Sequence, residues 1–171
     1  MSDTSSKTTM SKVESMIWII VAYIAAFAVA VNVTSGLETS TSGLWSGIWA
    51  DIAATCVIFA FSMMFANSSF YDAYWSVLPP VLVAFWLLSP DAASGEPWRQ
   101  WLTLGVTTAW GVRLTINWAV GWTGMDHEDW RYVMLREKSP TLWPLVSFGG
   151  VHLYPTVQVL LTLLPAYASL V

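Results

Sequence analysis

Residues 16–33 read MIWIIVAYIAAFAVAVNV, a stretch without a single charged side chain. A helix needs about 20 predominantly apolar residues to cross the hydrocarbon core of a bilayer. This run therefore predicts a transmembrane helix close to the N-terminus. A cleaved signal peptide is the alternative, because Ala28-Val29-Ala30 resembles a cleavage site and basic residues precede the run. The apolar stretch continues beyond that site, which favours a retained helix.

Four further apolar runs follow, at residues 44–66, 75–88, 98–122 and 142–171. Together with the first they predict an all-α fold, a polytopic transmembrane helix bundle of about five spans. The third run is short and carries Pro79-Pro80 near its start. Residues 1–15 are rich in serine and threonine and predict a disordered tail. Residues 16–171 are then one transmembrane domain.

Composition supports an integral, multi-pass membrane protein. Hydrophobic residues make up 56% of the chain and charged residues 11%, whereas a soluble domain has about a quarter charged residues. Several of the 12 tryptophans flank apolar runs, as expected at the membrane–water interface. A net charge of −4 argues against a nucleic-acid partner. One cysteine and two histidines exclude an intrachain disulfide and a multi-histidine metal site, so we expect no metal.

A charged and an amide side chain interrupt the fourth run. Arg113 and Asn117 are four residues apart, which places them on one helical face. A charge within a span is costly and usually marks a functional interior, so an interior pair is the favoured interpretation. The alternative is that the long side chain of Arg113 extends to the interface.

The segment after the fourth run concentrates acids, a histidine, an arginine and a tyrosine. Asp126 is suited to cap a short interfacial helix over residues 127–138, with its basic residues at the C-terminal end. Capping explains many of these residues but not the crowding of His127, Glu128, Arg131 and Tyr132 beside the fourth run. Both interpretations, a site and a capped helix, remain open here.

A second cluster, Tyr71, Asp72 and Trp75, precedes the third run. It is either part of a site or an aromatic belt with Asp72 as a helix cap. Asp51, His152 and Gln158 are single polar residues in apolar surroundings, and each is able to hydrogen-bond across helices.

These clusters resemble a known family. NSSFYDAYWSV at residues 67–77 resembles the start of a helix in the bacterial membrane family called domain of unknown function 1295. WGVRLTINW at residues 110–118 and HEDWRY at residues 127–132 resemble its second signature, and Pro155-Thr156 also fits. The family is grouped with steroid 5-alpha-reductase-like proteins. The resemblance implies NADPH-dependent reduction of a carbon–carbon double bond conjugated to a carbonyl in a lipid or steroid-like substrate.

Within the chemistry that the resemblance implies, residue type and position suggest roles for eight residues. Glu128 and Tyr132 are the candidate catalytic groups, since a positioned acid or phenol polarises a carbonyl oxygen. Arg113, Asn117 and Arg131 are candidates for contacting NADPH, and the substrate-binding candidates are Tyr71, Asp72 and Trp75. The expected partners are membrane lipid and a hydrophobic small molecule.

The sequence also departs from the family's pattern. Family members continue to a Trp-x-x-x-Arg-His-Pro-Asn-Tyr-type motif that helps to hold the nucleotide, and this motif does not occur here. We therefore expect the chain to lack the C-terminal cofactor-binding half. The runner-up hypothesis is a non-catalytic membrane subunit or scaffold, in which the polar groups only hold helices together.

The basic residues predict the orientation in the membrane. With five spans, one side collects Lys7, Lys12, Arg131, Arg136 and Lys138, and the other side has only Arg99. The positive-inside rule then places the N-terminus in the cytoplasm. A reporter fused after Lys138 should be cytoplasmic and one fused after Gly95 should not. Finding both on one side would refute the five-span topology.

Overall fold

The computed structural model describes residues 10–37 and 41–171, and the regular elements in those residues are all helical. The prediction of an all-α fold is confirmed. The α-helices are α1 (Lys12–Leu37), α2 (Gly43–Met64), α3 (Tyr74–Leu88), α4 (Pro97–Gly121), α5 (Trp130–Lys138), α6 (Trp143–Val146) and α7 (Tyr154–Leu170). Short 3₁₀ turns, Ser68–Phe70 and Pro90–Ser94, precede and follow α3.

The first helix begins before the apolar run does. Lys12 is its first residue, and Ser15 is fully buried where its hydroxyl accepts a hydrogen bond from the backbone N–H of Met125. Residues 12–15 are therefore helical and do not belong to the tail predicted at residues 1–15. Residues 1–9 of that prediction lie outside the described residues.

The long helices connect two opposite ends of one bundle. At one end the side-chain amide of Asn67 donates to the carbonyl of Met125, which joins the α2–α3 turn to the segment after α4. At the other end Asp91 accepts hydrogen bonds from the backbone of Gly43 and the phenol of Tyr167, each 2.8 Å long. Successive long helices therefore alternate in direction, as a multi-pass topology requires.

Four segments are long and apolar enough to cross a membrane: Lys12–Leu37, Gly43–Met64, Ser68–Leu88 and Trp143–Leu170. This agrees with a multi-pass membrane protein. Helix α4 has 25 residues and runs between the same two ends, but threonines, Arg113 and Asn117 make it less apolar than the others. Whether α4 is the fifth span stays a prediction.

The last apolar run forms one continuous helical rod, α6 to α7, with a π-helical segment, Ser147–Leu153, in its middle. Pro155 has no backbone N–H to donate to the carbonyl four residues earlier, and π-helical turns are a common adjustment to such an interruption. His152 lies in this segment and is fully buried, with its Nε2 2.9 Å from the hydroxyl of Ser62 on α2.

The interfacial helix is shorter than predicted. It begins at Trp130 and not at residue 127, and its N-cap is Asp129 and not Asp126. The carboxylate of Asp129 accepts a 2.8 Å hydrogen bond from the backbone N–H of Arg131, and this contact decides where the helix starts. Gly124, with φ of 121°, turns the chain from α4 toward this cap.

An ion pair ties α5 to the α2–α3 turn. The buried carboxylate of Glu128 accepts a hydrogen bond from the backbone N–H of Ser68 at 2.7 Å and from the guanidinium of Arg136 at 3.0 Å. Arg136 also donates to the carbonyl of Ala66 and stacks over the ring of Trp143, 4.8 Å from its centroid. This Glu128–Arg136 clamp fixes α5 relative to α2 and α3.

The clamp should contribute measurably to stability. Glu128→Gln removes the charge from a side chain that is 8% exposed, and hydrogen bonds to charged groups contribute about 1.5–3 kcal/mol each. We expect a clearly lower thermal unfolding midpoint in detergent. Arg131→Gln is the matched control. It removes the ion pair between Arg131, whose side chain is 62% exposed, and Asp129, and it should shift the midpoint less. Equal shifts of the unfolding midpoint in the two variants would contradict a stabilising role of the Glu128–Arg136 clamp.

Candidate functional site

A cavity of about 680 Å³ opens between α3, α4, α5 and α7 at the end of the bundle that holds the clamp. Five of the eight predicted site residues line this main cavity, and they come from two separate stretches of sequence. The lining residues are Tyr71, Asp72, Trp75, Trp118, Asp129, Arg131, Tyr132, Leu135, Gly150, Val151, Pro155, Gln158 and Val159.

The two predicted clusters meet through one hydrogen bond. The phenol of Tyr132 on α5 donates to Oδ1 of Asp72 at 2.8 Å, across 60 residues of sequence. Burial and the negative charge of Asp72 raise the pKa of Tyr132 well above its ordinary value, so this phenol stays protonated at neutral pH. Asp72 does not cap α3: the N-cap residue is Ala73, and it makes no side-chain cap bond. The capping interpretation of Asp72 is therefore wrong.

Arg131 lies at the rim of the main cavity and is hydrogen-bonded to Asp129, two residues earlier in the sequence. Its Nε and Nη2 donate to the two carboxylate oxygens of Asp129 at 2.9 and 2.8 Å. These bonds lower the pKa of Asp129 and raise that of Arg131, so both groups are charged at neutral pH. An anionic ligand must compete with Asp129 for this guanidinium.

Tyr71 connects the main cavity to a chain of buried hydroxyl groups. Its phenol lies 2.8 Å from the hydroxyl of Thr156 on α7, which lies 3.1 Å from that of Thr55 on α2. Thr55 and Tyr74 both donate to Oδ1 of Asp51, at 3.5 and 2.9 Å. The chain crosses three helices and sets the position of the Tyr71 phenol in the cavity wall.

The single polar residues behave largely as the sequence predicts. Asp51 and His152 hydrogen-bond to side chains of other helices, Tyr74 and Ser62 respectively. Gln158 instead donates to the phenol of Tyr154 within α7, and it lines the main cavity.

A second cavity of about 420 Å³ adjoins the first and shares Asp72, Trp118 and Asp129 with it. The predicted cofactor contact Asn117 is exposed and lines this second cavity. The other lining residues are Ser69, Gly121, Trp122, Thr123 and His127. Six of the eight predicted residues therefore line one of two adjoining cavities.

An apolar groove of about 350 Å³ continues from the main cavity along the bundle, and the two share Trp75 and Val159. Pro79 of α3, Val106 and Trp110 of α4, and Leu163 of α7 form most of its walls. The site thus combines a polar end near α5 with an apolar extension toward the middle of the helices.

Glu128 and Arg113 lie outside these cavities. The carboxylate of Glu128 is held in the clamp and points to the α2–α3 turn, so its geometry favours a structural role over the catalytic role that the sequence suggested. Arg113 is exposed and has no hydrogen-bond or ion-pair partner among residues 10–37 and 41–171. The interior pair that the sequence favoured is therefore not formed.

Sequence reasoning missed Trp118, Trp122 and Thr156 as site residues. Tryptophans at run ends are expected to anchor the interface, and a threonine in an apolar run carries little signal of its own. The position of Asn117, Trp118 and Trp122 just before the crowded segment is the signal from which the second cavity could have been predicted.

The charges of the two cavities differ from those of a dinucleotide site. Their described lining carries the carboxylates of Asp72 and Asp129 and a single guanidinium, Arg131, which is already paired. Phosphates are normally held by free cations or by backbone N–H groups at a helix N-terminus. The described residues therefore suit an uncharged ligand better than the phosphates of NADPH.

Comparison with known proteins identifies the family. A family model described as "Protein of unknown function (DUF1295)" matches residues 58–171. An uncharacterised protein of the fission yeast Schizosaccharomyces pombe is 25% identical over 116 residues, which cover 67% of this chain and 34% of the yeast protein. The chain thus spans about a third of the length of that relative, and no solved structure matches. Because the family model covers two thirds of the chain and all eight predicted site residues, the chain belongs to the DUF1295 family.

Proposed function

We propose that this protein is a membrane-embedded, reductase-like protein that binds a neutral lipid or steroid-like molecule with a carbonyl conjugated to a carbon–carbon double bond. The observation that carries the proposal is the main cavity, in which Tyr71, Asp72, Trp75, Arg131 and Tyr132 converge beside an apolar groove. The resemblance to steroid 5-alpha-reductase-like proteins supports the reaction class.

The shape and charge of the site favour an amphiphile. The apolar groove suits a hydrocarbon tail or a ring system, because burial of apolar surface is favourable by about 25 cal/mol per Å². The main cavity supplies the phenol groups of Tyr71 and Tyr132 and the amide of Gln158 to the polar end. Two carboxylates against one paired arginine disfavour an anionic headgroup.

Tyr132 is the best-placed group to polarise the carbonyl oxygen. Its phenol is protonated at neutral pH and lies at the cavity wall, held by Asp72. The phenol has one O–H, which donates to Asp72 in this structure, so a bound carbonyl has to compete with Asp72 for it. A hydrogen bond from this phenol to the carbonyl withdraws electron density from the enone and makes its beta carbon more electrophilic. Asp72 is then a positioning residue, since it touches Tyr132 and fixes the orientation of the ring.

NADPH, which the resemblance implies as the hydride donor, does not fit the described residues. Of the three predicted contacts, Arg113 lies outside the cavities, Asn117 is uncharged and Arg131 is bound to Asp129. The use of NADPH by this protein therefore remains a proposal from the resemblance alone.

A non-catalytic membrane subunit is the second candidate. The observation that favours it is that Glu128, Arg136, Asp129 and Arg131 satisfy one another in two ion pairs. Polar groups that pair fully with one another are also expected in a protein in which they only hold helices together. The two candidates differ in whether the main cavity binds and polarises a ligand.

Binding of cholest-4-en-3-one in detergent tests the first candidate. A hydrogen bond to the carbonyl moves the ultraviolet absorption of an enone to longer wavelength, and we expect such a shift with the wild-type chain. Tyr132→Phe should abolish most of the shift and weaken binding by about fivefold to tenfold, the effect of one hydrogen bond.

Tyr167→Phe is the matched control for this experiment. It removes a phenol that also donates to a carboxylate, Asp91, over 2.8 Å, but at the other end of the bundle. Its spectrum and affinity should equal those of the wild type. A wild-type chain that leaves the enone spectrum unchanged would instead favour the non-catalytic subunit.

The isolated chain should bind NADPH weakly or not at all and show no reductase turnover alone. Each charge-assisted hydrogen bond that is not made forfeits about 1.5–3 kcal/mol, which corresponds to at least a tenfold loss of affinity. Calorimetric titration of the purified protein measures this directly. Micromolar or tighter binding would refute the expectation.

Asp129→Asn tests whether Asp129 limits anion binding at Arg131. Asparagine is as good an N-cap as aspartate, so α5 should stay folded while the guanidinium loses its competing carboxylate. Weak NADPH binding should become measurably tighter in this variant, and adding Arg131→Gln should remove the gain. An unchanged titration in Asp129→Asn would show that Arg131 does not contact the dinucleotide.

A further inference from the structure

An exposed arginine, Arg113, lies in the middle of the bundle on the outward side of α4. Two residues before it, Gly111 packs against the carbonyl of Ser76 in α3, since a Cβ atom added there would lie 2.5 Å from that oxygen. Two residues after it, the hydroxyl of Thr115 lies 2.9 Å from that of Ser76. Ser76 is near the middle of the candidate span Ser68–Leu88, so the backbone of Arg113 lies at the same depth. Because positions two apart in a helix point to nearly opposite sides, the arginine side chain faces away from α3.

This position requires a counter-charge that the described residues do not provide. The end of α4 lies eight residues, or about 12 Å, beyond Arg113, which is longer than an extended arginine side chain. A charge within a span usually pairs with another polar group, but Arg113 has no hydrogen-bond or ion-pair partner among residues 10–37 and 41–171. A second copy of the chain does not supply one, because the described acid nearest the middle of a span, Asp51, is 1% exposed and bonded to Tyr74. The counter-charge therefore has to come from a different protein.

The outward side of α4 has the shape of a close helix contact. Gly105 and Ala109 lie two turns and one turn before Arg113, and Asn117 lies one turn after it, so the four residues share a helical face. All four are exposed, and a Cβ atom added at Gly105 would meet nothing within 4 Å. Small residues let two membrane helices approach closely, and an asparagine amide is able to hydrogen-bond across the contact. We call these four residues the α4 face.

We propose that the α4 face binds a transmembrane helix of a partner protein, and that this helix carries an aspartate or a glutamate at the depth of Arg113. A carboxylate matches the guanidinium in charge and in geometry, because it accepts two parallel N–H bonds. The pair also selects the partner, since a helix without the acid leaves Arg113 unpaired beside lipid. The α4 face does not depend on enone binding, and a partner helix is compatible with both candidate functions.

Energy transfer in lipid vesicles tests the pairing. The whole chain carries a donor fluorophore on Cys56, its only cysteine, which is exposed on α2 and leaves the α4 face free. The probe is a leucine–alanine transmembrane peptide of about 20 residues with one central glutamate and an acceptor fluorophore, and the control peptide has glutamine in that place. We expect the glutamate peptide to bind about threefold more tightly or better, as one polar contact between membrane helices provides. Arg113→Gln should remove this difference, and Arg113→Lys, which keeps the charge, should retain most of it.

Two alanine positions test the surface independently of the charge. Ala109→Leu places a larger side chain on the α4 face and should weaken the binding of both peptides, whereas Ala28→Leu, at an exposed alanine of α1, should weaken neither. Because Arg113, Ala109 and Ala28 are all exposed, their variants are expected to fold.

Three results would overturn the proposal. Equal binding of the two peptides to the wild-type chain would mean that Arg113 is satisfied by lipid headgroups or water. A preference for glutamate that survives Arg113→Gln would place the contact elsewhere on the protein. Energy transfer with either peptide no greater than that of an unbound peptide would show that the α4 face does not bind a helix.

Discussion

The carboxylate of Glu128 is the group on which the geometry of the site depends. It joins the backbone at Ser68, the start of the α2–α3 turn, to the guanidinium of Arg136 on α5. Tyr132 lies between Glu128 and Arg136 in sequence, and Asp72 lies four residues after Ser68. Holding these two segments together therefore brings the Tyr132 phenol to Asp72 and closes one wall of the main cavity. A structural ion pair outside the cavity thus determines the polar contact inside it.

The interior of the bundle shows how polar groups are accommodated among apolar helices. An unpaired polar group is costly where water is absent, so Asp51, Thr55, Thr156 and Tyr71 are joined into one hydrogen-bonded chain. The same chain fixes the Tyr71 phenol in the cavity wall. Stability in the apolar interior and placement of a site residue are therefore achieved by the same contacts.

The helices were largely predictable because four of the five apolar runs meet the length that a bilayer requires, and the third meets it once the helical residues from Ser68 onward are added. The part of the site that was predictable is the part where polar and aromatic residues are crowded in the sequence. This part contains Tyr71, Asp72, Arg131 and Tyr132. The structural role of Glu128 was not predictable from the sequence, because the tertiary fold brings its partners Ser68 and Arg136 to it. The start of α5 was also misplaced, because Asp126 and Asp129 are equally suitable caps until the turn at Gly124 selects one.

The charge balance of the cavities links their structure to the kind of ligand that we propose for them. Asp72 is needed to orient Tyr132, and Asp129 is needed to cap α5, so both carboxylates serve the fold. Their placement leaves Arg131 paired and the cavities without an unpaired lysine or arginine among the described residues. An anion would have to displace Asp129 from Arg131, whereas a neutral carbonyl competes only for the Tyr132 phenol that donates to Asp72 and breaks no ion pair. The contacts that build this site therefore support the proposed binding of an uncharged amphiphile over that of an anionic one.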